Sequence, residues 1–267
     1  MRNVLIIGSD GFLGKSLSEH FGNLGYNVFR TSRRPVHDLG EIFLDLEMNL
    51  DDFSFPQHFD TAFFLAGISN VKFCEDNKEY THHINVTKTI KLLKKLNENS
   101  IHTIFTSSSA VFEGHKPKFQ FNDSRQPRNF YGACKAQVED FILDNSMDVS
   151  IIRTGKIIET LPILNFWKEE IENGLVPKVY ANRYISPVSR KFFAQSMTKL
   201  IEQMPGGVNQ ISANDEVNYL QIFRSNFIDS PSTIISEPDS HESLEPSGFF
   251  VGYQTPSSLD AIKLVIK

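Results

Sequence analysis

The stretch Val4-Leu5-Ile6-Ile7-Gly8-Ser9-Asp10-Gly11-Phe12-Leu13-Gly14 sets the reading of the whole chain. Four branched aliphatic residues in a row fit a buried strand, and they run directly into three glycines spaced three apart. An apolar helical pattern over residues 13–24 follows at once. Glycine there permits a tight turn, lets the backbone approach a pyrophosphate and lets the helix settle on the sheet. The helix N-terminus adds amide donors and the positive end of a dipole. In this strand-turn-helix setting the triplet predicts a dinucleotide loop in which Gly8, Gly11, Phe12, Leu13 and Gly14 contact the cofactor.

The same alternation continues outward. Strands are expected over residues 27–31, 61–66, 103–106 and 149–153, and helices over 78–97 and 130–143. Ile84, Ile90, Leu92, Leu93 and Leu96 form the apolar positions of the first of those helices. Strands separated by helix-length connections need crossovers, so the fold class is α/β, a doubly wound parallel sheet of the NAD(P)-binding Rossmann kind. Past Gly155 the rhythm weakens, and Pro162, Pro177, Pro187 and Pro205 interrupt it. Residues 1–156 therefore read as a dinucleotide-binding domain and residues 157–267 as a smaller substrate-binding part. An apolar strand over 208–211, after Gly206-Gly207, is expected to rejoin the sheet edge. Residues 229–247, rich in Ser, Pro, Glu and Asp, read as a surface loop.

Composition narrows the function classes. With 267 residues, 40% hydrophobic and 22% charged, the chain can bury a sizeable core. Its 27 Lys and Arg against 32 Asp and Glu leave a formal charge of -5, which gives no general attraction to nucleic acid or to an anionic membrane. No apolar run approaches the roughly 20 residues that span a bilayer. Met1 is followed within two residues by the first strand rather than by a secretory leader, so a cytoplasmic location is expected. Cys74 and Cys134 lie far apart and fit free thiols in a reducing compartment. His82 and His83 are adjacent, which on a helix points them apart, and no metal site is expected.

Two further patterns carry chemistry. After the second strand, where an NAD site places a carboxylate for the ribose hydroxyls, the chain offers Ser32-Arg33-Arg34. A hydroxyl plus a guanidinium, Ser32 and Arg33, suits a 2'-phosphate, so NADP is expected over NAD. At the start of the later helix, Tyr131 and Lys135 stand four residues apart and share a face. An ammonium beside the phenol is expected to lower its pKa and ready it for proton exchange. Ser107-Ser108-Ser109 follows a strand at its carboxyl end, where doubly wound sheets bind ligands.

With those residues in place, the chain resembles the extended short-chain dehydrogenase/reductase family. The resemblance runs through about Thr154 and rests on the Gly8-Gly11-Gly14 loop, Asp45-Leu46, Leu65-Ala66-Gly67, Asn85-Val86, the Ser107 to Phe112 segment, and Pro127 before Tyr131. It implies that Ser108 and Tyr131 bind the reacting oxygen, that Lys135 holds the nicotinamide ribose, that Asp45 and Leu46 touch adenine with Ala66 and Gly67 also lining the cofactor, and that Asn85 completes a proton relay. Val111-Phe112-Glu113-Gly114, residues 123–127, Arg153-Thr154, Tyr184-Ile185-Ser186-Pro187 and Pro256-Ser257-Ser258-Leu259-Asp260 are similar to the branch of dTDP-4-dehydrorhamnose reductases and their relatives. Ser109-Ala110 stands where related dehydratases carry an acid pair, which argues against water elimination. The resemblance thus implies NADPH-dependent reduction of a keto group on a nucleotide-linked sugar, with Ser108 facing that substrate; Lys156, Arg183 and Ser186 are the polar residues of the 157–267 side expected to meet its diphosphate, Arg183 by bidentate contact. Its alternatives are a nucleotide-sugar epimerase using bound NAD(P) and a non-catalytic regulatory subunit that binds NADP or a sugar nucleotide. A homodimer is compatible with this family.

Overall fold

The computed structural model describes residues 2–36, 38–247 and 257–263. Of the terminal motif quoted above, Pro256 lies outside the described residues, as do the last four residues of the 157–267 part. The chain forms two compact units. The first takes Met1–Val111, Arg125–Arg153 and Ala194–Asn209, the second Phe112–Ser124, Thr154–Phe193 and Gln210–Lys267.

The first unit is built on β1 (Asn3–Ile7), α1 (Phe12–Asn23), β2 (Asn27–Ser32), β3 (Glu41–Phe43) and β4 (Thr61–Phe64). It continues with α2 (Val71–Asp76), α3 (Lys78–His82), α4 (Thr89–Glu98), β5 (His102–Ser108), α5 (Phe130–Asp144) and β6 (Val149–Thr154). In the second half follow α6 (Pro162–Glu172), β7 (Lys178–Tyr180), β8 (Arg183–Ile185), α7 (Arg190–Gln203) and β9 (Val208–Ile211). The last described elements are β10 (Val217–Asn218), α8 (Tyr219–Asn226), β11 (Thr233–Ile235), β12 (Ser240–Glu242) and α9 (Ser258–Lys263).

A seven-stranded sheet has the order β3-β2-β1-β4-β5-β6-β9. The β1–β2, β1–β4, β2–β3 and β4–β5 pairings are all parallel; α1 makes the crossover from β1 to β2 and α2–α4 that from β4 to β5, whereas β2 and β3 are joined without a helix. β9 takes the edge beside β6, as the apolar run at 208–211 predicts, and Ile151 N–H donates to Gly207 O at 2.8 Å. Successive side chains of β1 point to opposite faces and both faces are covered. Leu5 and Ile7 join Phe64, Phe105 and Ile151 in one core with Leu92, Leu93 and Leu96 of α4 and Val138 and Ile142 of α5. This is why β1 reads as an unbroken apolar run over residues 4–7 rather than an alternating one.

The second unit has a small core of its own. Trp167 of α6 is fully buried among Val179, Ile185, Val217, Ile222 and Phe223, and its indole N–H donates to Lys178 O at 3.3 Å. Three short strands pair as β10-β8-β12 and two as β11-β7.

Two expectations are corrected. Residues 229–247 are not a loop throughout, because Thr233-Ile234-Ile235 pairs in parallel with β7 and Ser240–Glu242 with β8. Three-residue strands carry too little periodicity to stand out of a polar stretch, and their partners lie more than fifty residues away. The helix expected over 78–97 is instead α3, a π-helical turn at His83–Lys88 and α4. The wider turn buries the consecutive residues Ile84, Asn85 and Val86, which one stripe of an α-helix cannot do, and Thr89 Oγ1 donates to Ile84 O at 3.1 Å.

α1 meets the end of β1 without clearance: a Cβ on Gly14 would lie 2.3 Å from Gly8 O and 2.7 Å from Ser9 Cα. Gly14→Ala is therefore expected to cost about 1–3 kcal/mol of stability. Urea denaturation checks this, the expected outcome being a lower midpoint at unchanged slope.

Candidate functional site

The glycine loop opens on a cavity of about 330 Å³ that lies wholly within the first unit. Gly8, Gly11, Ala66 and Gly67 line its backbone side, and Leu44 and Leu46 its apolar side. Gly8 has φ +90, and a Cβ on it would lie 2.8 Å from Ala66 N, so the β1 and β4 ends touch through backbone alone. Gly11 is the N-cap of α1 and no side chain caps that end. Phe12 and Leu13 begin the helix, Phe12 being exposed. A bare helix terminus beside a groove that two glycines keep open fits the pyrophosphate of a dinucleotide.

At the ribose-side end the charges are mixed. Arg33 lines the cavity together with Asp10, Asp45 and Glu47. The Ser32 hydroxyl donates to Asp10 Oδ2 at 2.8 Å and accepts from Arg34 N–H at 3.0 Å, so it is already engaged. Asp45 accepts from Glu47 N–H at 3.0 Å. Tyr80 of α3 donates to Glu47 Oε1 across the same rim.

The three serines after β5 are separated by the strand's alternation. Ser107 points inward and donates to Glu139 Oε1 at 2.5 Å, whereas Ser108 accepts from Ala110 N–H at 3.2 Å and its hydroxyl stands near enough to the Tyr131 phenol to favour the ionised form. Ser109 begins a short 3-10 turn. Tyr131 and Lys135 sit in the first two turns of α5, whose N-cap Asn129 accepts from Gly132 N–H at 2.8 Å while Glu75 accepts from Phe130 N–H at 2.6 Å. A Cβ on Gly132 would lie 2.0 Å from Ala110 O, so the helix start lies directly on the turn that follows Ser108.

Lys135 is buried, donates to Thr106 O at 2.8 Å and lies over the Phe105 ring at 4.6 Å and the Tyr131 ring at 6.0 Å. The expectation of a lowered phenol pKa is corrected. Burial pushes Tyr131 up to about 12, against the opposing hydrogen bond from Ser108. Burial also takes Lys135 down to about 8, which Glu139 opposes. Desolvation dominates the phenol's shift, while the Lys135 ammonium donates to the Thr106 carbonyl.

Asn85 lies on the π-helical turn with both ends of its amide engaged. Its Oδ1 accepts from Ile68 N–H and its Nδ2 donates to Ile68 O, each at 2.8 Å. It therefore fixes the chain just past Gly67. In the second unit, Lys156 pairs with Glu242 at 2.8 Å, and Arg183 pairs with Glu237 at 2.7 Å while stacking over Tyr180 at 3.7 Å. Ser186 is fully buried and donates to Asp215 O at 2.6 Å.

Sequence reading passed over Asp10, Glu47, Tyr80 and Glu139. Asp10 stood inside the glycine triplet, and Glu139 continues the four-residue spacing of Tyr131 and Lys135, so both carried a signal. Glu47 and Tyr80 meet only through tertiary structure. Among the described residues no cluster of metal-ligating side chains occurs, and no helix is long and apolar enough to cross a membrane.

A family model described as the RmlD substrate binding domain matches residues 1–224. Methionine adenosyltransferase 2 subunit beta of Bos taurus is 24% identical over 181 residues, covering 66% of this chain and 51% of that protein. The chain thus spans about half the length of the first curated relatives it matches. The spore coat polysaccharide biosynthesis protein SpsK of Bacillus subtilis (strain 168) is 24% identical over 224 residues, 77% of this chain and 72% of that one. Among solved structures, dTDP-4-dehydrorhamnose reductase of Bacillus anthracis in complex with NADP superposes with a TM-score of 0.80 at 17% identity, over 99% of this chain and 98% of that one.

The perturbed pair gives a titration to measure. Lys135 is expected to lose its proton near pH 8, and Tyr131 to ionise only near pH 12. Between about 8 and 10.5 the unfolded chain holds a lysine proton that the folded one lacks, so this group adds stability as pH rises through that window. For Tyr131 the folded state keeps the proton longer, so its contribution falls as pH rises from 10 to about 12. Heteronuclear NMR of labelled lysine, assigned with Lys135→Met, checks the first; phenolate absorbance against Tyr131→Phe checks the second. A Lys135 that titrates with the exposed lysines overturns the expectation.

Proposed function

Because the chain belongs to the RmlD substrate-binding-domain family of the extended short-chain dehydrogenases/reductases, we propose that it is a nicotinamide-dependent reductase of a keto group on a nucleotide-linked sugar. The observation that carries the reading is the nearness of the Ser108 hydroxyl to the Tyr131 phenol at the carboxyl end of β5, with Lys135 one turn along the helix from Tyr131. The glycine-loop cavity belongs to the same compact unit. SpsK, by its name, works in polysaccharide biosynthesis, and the reductase from Bacillus anthracis acts on a dTDP-linked keto sugar, which supports this substrate class.

Gly8, Gly11, Phe12, Leu13 and Gly14 would hold the pyrophosphate of the cofactor, Asp45, Leu46, Ala66 and Gly67 would flank its adenosine, and Lys135 would meet its nicotinamide ribose. When bound, the reduced cofactor supplies a hydride to the carbonyl carbon. Ser108 holds the carbonyl oxygen by a hydrogen bond, and Tyr131 delivers the proton that the forming alkoxide takes up. A phenol held near 12 is fully protonated at neutral pH, so the site is stocked with the proton a reduction consumes. The oxidative half of an epimerisation needs a phenolate instead, which burial disfavours. Lys135, near 8, is mostly charged at pH 7 and stabilises the negative charge that develops on the phenol.

The cofactor is proposed to be NADP, with Arg33 as the cation for its 2'-phosphate. Asp10 favours the second choice, NAD, since its carboxylate holds Ser32 and would accept from a ribose hydroxyl while repelling a phosphate. The second unit is assigned the nucleotide-sugar contacts, with Lys156 and Arg183 as the cations and Ser186 as part of their scaffold. A different reading, a subunit that holds cofactor without turnover, is favoured by the likeness to methionine adenosyltransferase 2 subunit beta.

Incubation with a panel of nucleotide-linked 4-keto sugars and NADPH tests the function, the expected outcome being loss of NADPH absorbance and a reduced product. Tyr131→Phe is expected to lower turnover by roughly a hundredfold or more while leaving cofactor affinity nearly intact. NADPH binding without consumption of any substrate would favour the subunit reading. In calorimetric titrations Arg33→Ala should weaken NADPH more than NADH, and Asp10→Asn should strengthen NADPH; tighter NADH binding by the unmodified protein would give the cofactor to NAD.

A further inference from the structure

Glu139 has no exposed surface, yet its carboxylate gathers donors from three segments of the first unit. Ser107 Oγ of β5 donates at 2.5 Å, Arg153 of β6 donates from Nε at 3.1 and 3.2 Å and from Nη2 at 2.6 Å, and Arg125 Nη1 donates at 3.1 Å. Arg153 is itself buried, 2% exposed. Such a pair loses its hydration on both sides, and an apolar pair of similar volume would often be as stable or more so. Its position suggests another use. Tyr131, Lys135 and Glu139 follow at intervals of four on α5 and so form one stripe along the helix, and Ser107 immediately precedes Ser108.

We infer that the buried Glu139–Arg153 ion pair is the positioning element of this site. It ties α5 to β5 and β6 at a fixed height, so that Tyr131 meets Ser108, and it places a carboxylate one helical turn beyond Lys135 on the same stripe. The inference rests on the reductase reading for its consequence in turnover, but its electrostatic half stands on the free protein. Lys135 is faced by Glu139 and Cys134 on its own helix, by the Tyr131 ring and by the Thr106 carbonyl of β5. Cys74 of α2 acts on Tyr131 and Cys134, and Arg153 and Arg125 act through Glu139. Of these, Glu139 is the carboxylate, and it is what keeps the buried lysine charged near neutral pH against desolvation.

The test uses the full chain and reads the Lys135 titration by NMR before any activity is measured. Glu139→Gln is expected to move that titration down by about one pH unit, and Arg125→Gln, which frees negative charge on Glu139, to move it up. Ser107→Ala, which cuts the link to β5 while keeping the ion pair, is expected to lower kcat roughly tenfold or more with little change in the KM for NADPH. A folded Glu139→Gln protein with an unmoved Lys135 overturns the inference. If that variant does not fold, an Arg125→Gln protein with an unmoved or lowered Lys135 overturns it equally. Should the titration shift as stated while no keto sugar is reduced by the unmodified protein, the reductase reading fails and the positioning of Lys135 stands.

Discussion

The site depends on places where backbone meets backbone with no room for a side chain. At Gly132 a single added carbon would sit 2.0 Å from the Ala110 carbonyl, and at Gly14 one would sit 2.3 Å from the Gly8 carbonyl. The first contact seats α5 on the turn after β5, which brings the Tyr131 phenol to Ser108. The second seats α1 on the end of β1, which leaves the helix terminus open to the cavity. Both work because rigid elements approach to van der Waals limits, so the positions of the functional groups follow from the positions of the elements.

On that frame, burial sets the chemistry more than pairing does. The phenol and the ammonium stand one helical turn apart, yet each is shifted mainly by loss of water and not by the other. The Tyr131 proton is therefore held tightly, and the charge that helps release it must come from Lys135 and from whatever is bound. Glu139 and Arg153, farther along the same helix and on β6, extend this arrangement into the interior, where charges interact strongly because they are poorly screened.

The cofactor end is governed by a balance of opposite charges. Arg33 offers a cation and Asp10 a carboxylate within one cavity, and Ser32 is bonded to the carboxylate. The side chains of the second unit that suit an anionic substrate, Lys156 and Arg183, each rest against a glutamate.

Local pattern fixed the identity of β1, α1, β5, α5 and β6, because buried parallel strands and amphipathic helices announce themselves within a few residues. It also fixed the glycine loop, the Tyr131–Lys135 spacing and the return of β9 to the sheet edge. It did not disclose β11 and β12, whose pairing partners stand far away in the chain, nor the π-helical turn, from which Asn85 grips the backbone of Ile68. The engagement of Ser32 by Asp10, of Ser107 by Glu139 and of Ser186 by Asp215 likewise waited on tertiary structure. So did the direction of the Tyr131 shift. Spacing along a chain says which groups share a face, but the water lost around them and the distant partners they find are decided only when the elements close on one another.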